Sequence, residues 1–215
     1  MLLYHGTTAS RLEQILESGI TPRGRRKGNW QHTVNSHPKA VYLTNAYALH
    51  YGKCSIKKND ERVLILEIDG DALDPNLFGP DEDFLEQATR KSPAFPEIHG
   101  LDMVHRTKWF RERLIREFQH AWETSLECLG NITYHDIIPR TAILRHAVIP
   151  VEDPLVMWAC DPTITVLNYS IMGEYYRQLT RYVFEGNIEK KDAFNVENIL
   201  KFPRNNVNVT VHYEE

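Results

Sequence analysis

The sequence predicts an α+β fold with largely antiparallel sheets, and three observations carry that expectation. Several short runs rich in branched apolar residues crowd the middle of the chain. Segments with helical apolar spacing are set around them. No internal repeat and no low-complexity tract interrupts the pattern.

Leu2 to Tyr4 reads as the first strand, ending at His5-Gly6-Thr7-Thr8. Ser10-Arg11-Leu12-Glu13 fits a capping box for a helix whose apolar face is Leu12, Ile15 and Leu16, with Gly19 as its stop. Pro22, Gly24 and Gly28 disfavour any regular element beyond that stop, so Thr21 to Lys39 is expected to be a long loop. Ala40 to Thr44 predicts a second strand, and Thr44 or Asn45 caps a short helix towards Tyr51 and Gly52. Arg62 to Asp69 is the clearest strand, expected to be central and stopped by Gly70. Asp81 to Thr89 predicts a short helix. Val104 to Ala121 predicts a surface helix whose packed face carries Val104, Trp109, Leu114, Ile115 and Phe118. Trp122 to Leu129 reads as strand again, Gly130-Asn131 as a turn, and Ile132 to Ile138 and Thr141 to Pro150 as two more strands.

Residues 1–150 form the expected core, and 151–215 a C-terminal helical extension packed on it or completing the same domain. In that extension Ser170 to Glu185 predicts an aromatic-rich helix, Phe194 to Leu200 a further helical turn and Val207 to Tyr213 an edge strand.

A chain of 215 residues, 42% apolar and 25% charged, can bury a full core. No apolar run approaches the roughly 20 residues that span a bilayer, and the opening residues lack the regions of a signal peptide. A cytoplasmic protein without a membrane partner is the expectation. Three cysteines with no Cys-x-x-Cys pair, and histidines with no ligand spacing, argue for reduced thiols and no metal. No Gly-x-Ser-x-Gly, Walker or Gly-x-Gly-x-x-Gly motif occurs. The net charge of −4 does not suit a general nucleic-acid binder. Its distribution matters more: Arg23, Arg25, Arg26 and Lys27 fall in one loop with Trp30 and His32 and no carboxylate, a composition that can hold phosphate and stack a base.

His5-Gly6-Thr7 at a strand end, followed by a helix, a basic loop and the strand Ala40-Val41-Tyr42-Leu43-Thr44, resembles the opening of the NAD-dependent ADP-ribosyltransferases with a His-Tyr-Glu triad. The resemblance covers roughly residues 1 to 55. It implies a split β-sandwich of two antiparallel sheets with NAD in the cleft. His5 would bond the adenine-side ribose and the backbone at Gly6 and Thr7 the nicotinamide amide. Tyr42 and Tyr51, with Tyr47 as competitor, would stack the nicotinamide, and Arg23 would hold the pyrophosphate.

The family's third element is a strand carboxylate that stabilises the ribosyl cation. Glu127 is the first choice here and Glu123 the second. A shifted alignment puts Asn131 there instead, and an amide supplies no charge. The chain also lacks the Glu-x-Glu or Gln-x-Glu pair linked to protein acceptors.

The implied activity is mono-ADP-ribosylation. Arg25, Arg26, Lys27 and Trp30 favour a nucleic-acid acceptor over protein, and the size resembles toxins and phage-conflict effectors that pair with an antitoxin. Two alternatives stay open on the same resemblance: an NAD-dependent RNA 2′-phosphotransferase, and a binding module that keeps an NAD or ADP-ribose pocket without turnover. A third is an interaction protein that presents its aromatic C-terminal helix to a partner.

Overall fold

A computed structural model describes residues 1–24, 36–57, 60, 62–90, 92–159, 169–186 and 208–212. Its strands are β1 (Leu2–Thr8), β2 (Val41–Thr44), β3 (Arg62–Asp69), β4 (Phe78–Pro80), β5 (Asn131–Tyr134), β6 (Ile143–Pro150) and β7 (Asn208–Val211). Its helices are α1 (Leu12–Ser18), α2 (Ala48–Cys54), α3 (Glu82–Thr89), α4 (Met103–Glu117), α5 (Trp122–Leu129), α6 (Pro154–Trp158) and α7 (Tyr169–Glu185). Among the described residues the strands hydrogen-bond into one antiparallel sheet, in the order β4-β5-β2-β1-β3-β6-β7. The mixed α and β character matches the sequence. The two facing sheets implied by the resemblance are not shown.

β3 forms over the predicted residues and is central, pairing with β1 on one side and β6 on the other. Leu64, Ile65 and Leu66 are completely buried, as expected of a strand covered on both faces, each burial contributing roughly 1.5–3 kcal/mol. On one face Tyr4, Val63, Ile65, Ala147 and Ile149 pack under α2, α6 and α7. On the other, Leu3, Val41, Leu43, Leu66 and Ile132 pack with Ile15 of α1. The described residues beyond Pro150 join the first of these faces and the sheet edge: Phe184 of α7 stacks on Tyr4 at 6.0 Å, and β7 pairs with β6.

One junction differs from the rest. β1 pairs with β3 over seven residues but with β2 only at Tyr4 and Thr44. Beyond that single pair the two strands part, and His5 and Tyr42 lie beside the opening.

The structure corrects three expectations. β1 runs through Thr8, so His5, Gly6 and Thr7 are inside the strand and not after it. Ser10 caps no helix; it lies in a single 3-10 turn, and its hydroxyl bonds that of Thr8 at 2.8 Å. Trp122 to Leu129 is helix α5, not a strand. Its inward residues Ser125 and Leu129 are one helical turn apart, and Gly130, in the left-handed region at φ 70°, ends it. The predicted helical turn over Phe194 to Leu200 lies outside the described residues. No described helix is long and apolar enough to cross a membrane.

Candidate functional site

β2 organises the site. Its last residue, Thr44, is buried; the hydroxyl donates to the Gly130 carbonyl at 2.7 Å and accepts from the backbone N–H of Ala46 and Tyr47 at 3.1 and 3.0 Å. One side chain thus turns the chain from β2 towards α2 and ties that turn to the start of β5; it is not the helix cap expected of Thr44 or Asn45, because the N-cap of α2 is Tyr47, whose side chain makes no capping bond.

α2 then lies directly on β1. A Cβ at Gly6 would sit 1.9 Å from the Ala48 carbonyl oxygen and 2.6 Å from the Gly52 nitrogen. The sequence reading makes Gly6 small for the sake of a ligand amide. In the structure the group that needs this space is the backbone of α2. Thr7 beside it is buried and pairs with Leu64 of β3.

His5 spans the parting strands. Its Nδ1–H donates to the Tyr42 carbonyl at 2.9 Å, which fixes the tautomer, since a carbonyl can only accept. Burial holds the imidazole pKa below its usual 6.5 against the raising effect of that bond, so the ring is neutral and Nε2 carries a lone pair. The ring is half-buried, and Nε2 has no partner among the described residues. His5 therefore meets Tyr42 through its backbone, while the phenol of Tyr42 leads elsewhere.

That phenol ends in a second polar cluster. Tyr42 Oη donates to Glu82, lying 2.7 and 2.6 Å from the two carboxylate oxygens, and accepts the backbone N–H of His37. Asp81, Glu82 and Asp83 open α3, and Asp81 caps it by accepting from the Asp83 N–H at 2.8 Å. Glu82 is 2% exposed and Asp81 8%. None of the three forms an ion pair among the described residues. Burial pushes all three carboxyls up: at Asp81 repulsion from Asp83 and Glu82 adds to it, at Glu82 the Tyr42 hydrogen bond tempers it and leaves the group at about 7, and at Asp83 the charge of Glu86 adds to it, giving about 6.

The trio is fixed from below. Ser125 of α5, fully buried, accepts the Asp81 N–H at 3.0 Å and donates to the Asn131 carbonyl at 2.8 Å. Thr133 donates to the Pro80 carbonyl at 3.1 Å.

Tyr42 pairs in register with Thr133, and Thr44 with Asn131, so by strand alternation the four side chains share one face. On that face the Asn131 amide donates to the Tyr51 hydroxyl at 2.8 Å. Asp81 and Asp83 bear electrostatically on Tyr51 as well, raising its pKa after the larger effect of burial. Asn131 is 2% exposed, and its Oδ1 has no hydrogen-bond partner among the described residues. Tyr47, the competitor to Tyr51, is buried in the core and packs at 4.9 Å from Tyr176 of α7.

Positive charge gathers at the Ser36–His37 segment, whose His37 N–H bonds the same Tyr42 hydroxyl. Arg23 Nε donates to the Ser36 hydroxyl at 3.1 Å, and Arg23 and Arg111 of α4 both donate to the Ser36 carbonyl, the latter at 3.2 Å. Beside them the rings of His37 and His135 meet edge-on at 5.1 Å. Burial first, then Arg111, Lys39 and Arg23, lowers His37 to about 4. His135 is also lowered to about 4, by burial and then by His37.

Tyr42, Tyr51 and Arg23 of the sequence-predicted set surround this region, whereas His5, which pairs with Leu66 and alternates to the other face of β1, meets it only through the Tyr42 carbonyl. Glu127 and Glu123 do not: both lie on the exposed face of α5, opposite Ser125, because they are four residues apart on a helix. Arg25, Arg26, Lys27 and Trp30 lie outside the described residues. Sequence reading missed Glu82, Asp81, Ser125 and Arg111. Carboxylates at a helix start are ordinary capping chemistry, and nothing local in the sequence signals that these are buried. Among the described residues no cluster of His, Cys, Asp and Glu is arranged to hold a metal ion.

No described protein family matches the sequence, and no characterised protein does. Among solved structures, the chain is similar to EcPltA at 16% identity with a TM-score of 0.36, over 69% of this chain and 75% of that one. A likeness at that level carries no argument about fold or function.

Proposed function

We propose that this chain cleaves NAD at its nicotinamide bond and transfers ADP-ribose to a macromolecular acceptor, nucleic acid ahead of protein. The observation that carries this reading is the carboxyl cluster of buried Asp81 and Glu82 and half-buried Asp83, with no ion pair among the described residues, beside the two phenols Tyr42 and Tyr51. Carboxylates removed from water and left without a cation favour a cationic guest, and aromatic faces favour a flat one. The nicotinamide ring of NAD is both. His5 Nε2 can accept a ribose hydroxyl, and Arg23 and Arg111 stand on the side where phosphates would lie.

In the reaction the C1′–N bond breaks, its electron pair leaves on nicotinamide, and positive charge develops on the ribose. The acceptor then adds at C1′ and gives up one proton. A fixed anion lowers the energy of that cation, and aromatic walls keep water from intercepting it. The preference for a nucleic-acid acceptor rests on the composition of the basic loop. An antitoxin partner is inferred only from the kinship of such transferases with toxins.

One observation favours a second reading, a module that binds NAD or ADP-ribose without turnover: Asn131 and not a carboxylate faces Tyr51 from β5. Incubation with NAD labelled in its adenylate half and separate pools of RNA, DNA and protein tests both. The transferase reading requires nicotinamide release and label in a macromolecule, foremost in RNA or DNA. Saturable NAD binding with no nicotinamide released would establish the module, and absence of NAD binding would remove both.

A further inference from the structure

We infer that the charge opposing the ribosyl cation is supplied by Glu82, from the start of α3, while Asn131 on β5 contributes an uncharged acceptor for a ribose hydroxyl. This rests on the transferase reading above and concerns the same site.

Three features of the geometry lead to it. Asn131 is the first residue of β5, in register with Thr44, where its amide reaches Tyr51 but can place no charge. Its Oδ1 is buried and unpartnered among the described residues. A buried carbonyl oxygen without a partner among the described residues can accept from a donor that arrives from outside, and a sugar hydroxyl is such a donor. Glu82, in contrast, reaches the same face from α3. Both its oxygens engage Tyr42 Oη, and it forms no ion pair among the described residues. Tyr42 and Asn131 stand two residues apart along the paired strands, about 7 Å, so both can line one side of a bound ligand.

The third feature is that both groups are set by one hydroxyl. Ser125 bonds the Asp81 N–H and the Asn131 carbonyl, so the start of α3 and the start of β5 keep a fixed separation. A charge and a neutral acceptor on one rigid frame divide between two elements the work of a single strand carboxylate. Glu82 keeps lone pairs beyond those that Tyr42 occupies, and it can also take the proton that the acceptor gives up.

The raised carboxyls add a readout. The groups facing Glu82 are Asp81 and Asp83 on its own element, Tyr42 from β2 and the His37 backbone N–H. Tyr51 of α2 lies against the other two carboxyls. His37 and His5 are held low and the phenols high, so ionisation near pH 7 belongs to the carboxylate group.

The test measures nicotinamide release at saturating NAD, together with NAD affinity by calorimetry, for the full chain and its variants. Glu82→Gln is expected to lower kcat about 100-fold or more with affinity changed less than about tenfold, by analogy with the loss of one transition-state partner. Asn131→Glu added to that variant is expected to recover at least a tenth of the lost rate, because it returns a carboxylate to the same face. The unmodified chain needs no variant to fold: its kcat is expected to rise with pH through about 7 as one proton leaves the carboxylate group. Glu82→Gln turning over like the parent, or a kcat flat from about pH 5.5 to 8.5, overturns the assignment and leaves the transferase reading standing. Failure of the parent chain to release nicotinamide removes the reading itself.

Discussion

Glu82 offers a measurement of stability independent of any ligand. Replacing it with Gln keeps the side-chain shape and an oxygen for Tyr42 to donate to, while removing the charge. In the folded chain the carboxyl is pushed up to about 7, against an ordinary 4.5. Between those values the folded state keeps a proton that the unfolded chain has lost, so stability falls as pH rises through this window and is level above it. The full difference corresponds to roughly 3 kcal/mol. The Tyr42 hydrogen bond to the ionised group is already part of that shift. Glu82→Gln should therefore be about 3 kcal/mol more stable than the parent at pH 8, a rise of roughly 6–12 °C in Tm for a chain of this size. Near pH 4.5 the advantage should vanish. Urea melts at four or five pH values measure the difference directly. A Gln variant less stable than the parent at pH 8, or a difference that does not change with pH, would refute the claim that this carboxylate is buried without a counter-charge.

Gly6→Ala drives a Cβ into the Ala48 carbonyl, so loss of at least about 3 kcal/mol is expected in denaturant melts; a loss under 1 kcal/mol would mean that α2 can lift off β1 freely. Ser125→Ala strands the Asp81 N–H and the Asn131 carbonyl, and about 2–4 kcal/mol should be lost by the same assay, with hydrogen exchange quickening at Asp81. Arg145→Met removes the partner whose Nε and Nη2 lie 2.6 and 2.9 Å from the buried Glu67. About 3–5 kcal/mol should go, and Glu67→Gln in the same chain should restore part of it. Tyr42→Phe deprives Glu82 of its donor, so the pH at which stability levels off should move above that of the parent.

The parts of this fold legible in sequence are those whose local signal agrees with their final surroundings. Arg62 to Asp69 is branched, apolar and stopped by glycine, and it becomes the central strand over those residues. Thr44 announces its turn because a hydroxyl at a strand end has backbone N–H groups within reach. Trp122 to Leu129 misleads because two periods fit it at once. Trp122, Thr124, Leu126 and Cys128 alternate as in a strand, yet Trp122, Ser125, Leu126 and Leu129 also line one side of a helix. Packing against β4 and β5 decides in favour of the helix, and with that choice Glu127 turns outward. The opening motif leads to His5, Tyr42 and Tyr51, which the structure gathers around β2. Asp81 and Glu82 stay hidden because their burial is produced by residues far off in sequence, Ser125 and Thr133 among them.

The parting of β1 and β2 has a mechanical consequence. A ladder of seven pairs makes the β1–β3 side stiff, whereas a single backbone pair, Tyr4 with Thr44, and the His5 bond to the Tyr42 carbonyl join β1 to β2. That tie is a pivot, and α2 is its strut, pressed against Gly6 at one point and hung from Thr44 at the other. Widening the gap beside His5 stretches one imidazole-to-carbonyl contact and ruptures no run of backbone bonds, so the sheet can yield at this seam while every other strand keeps its register.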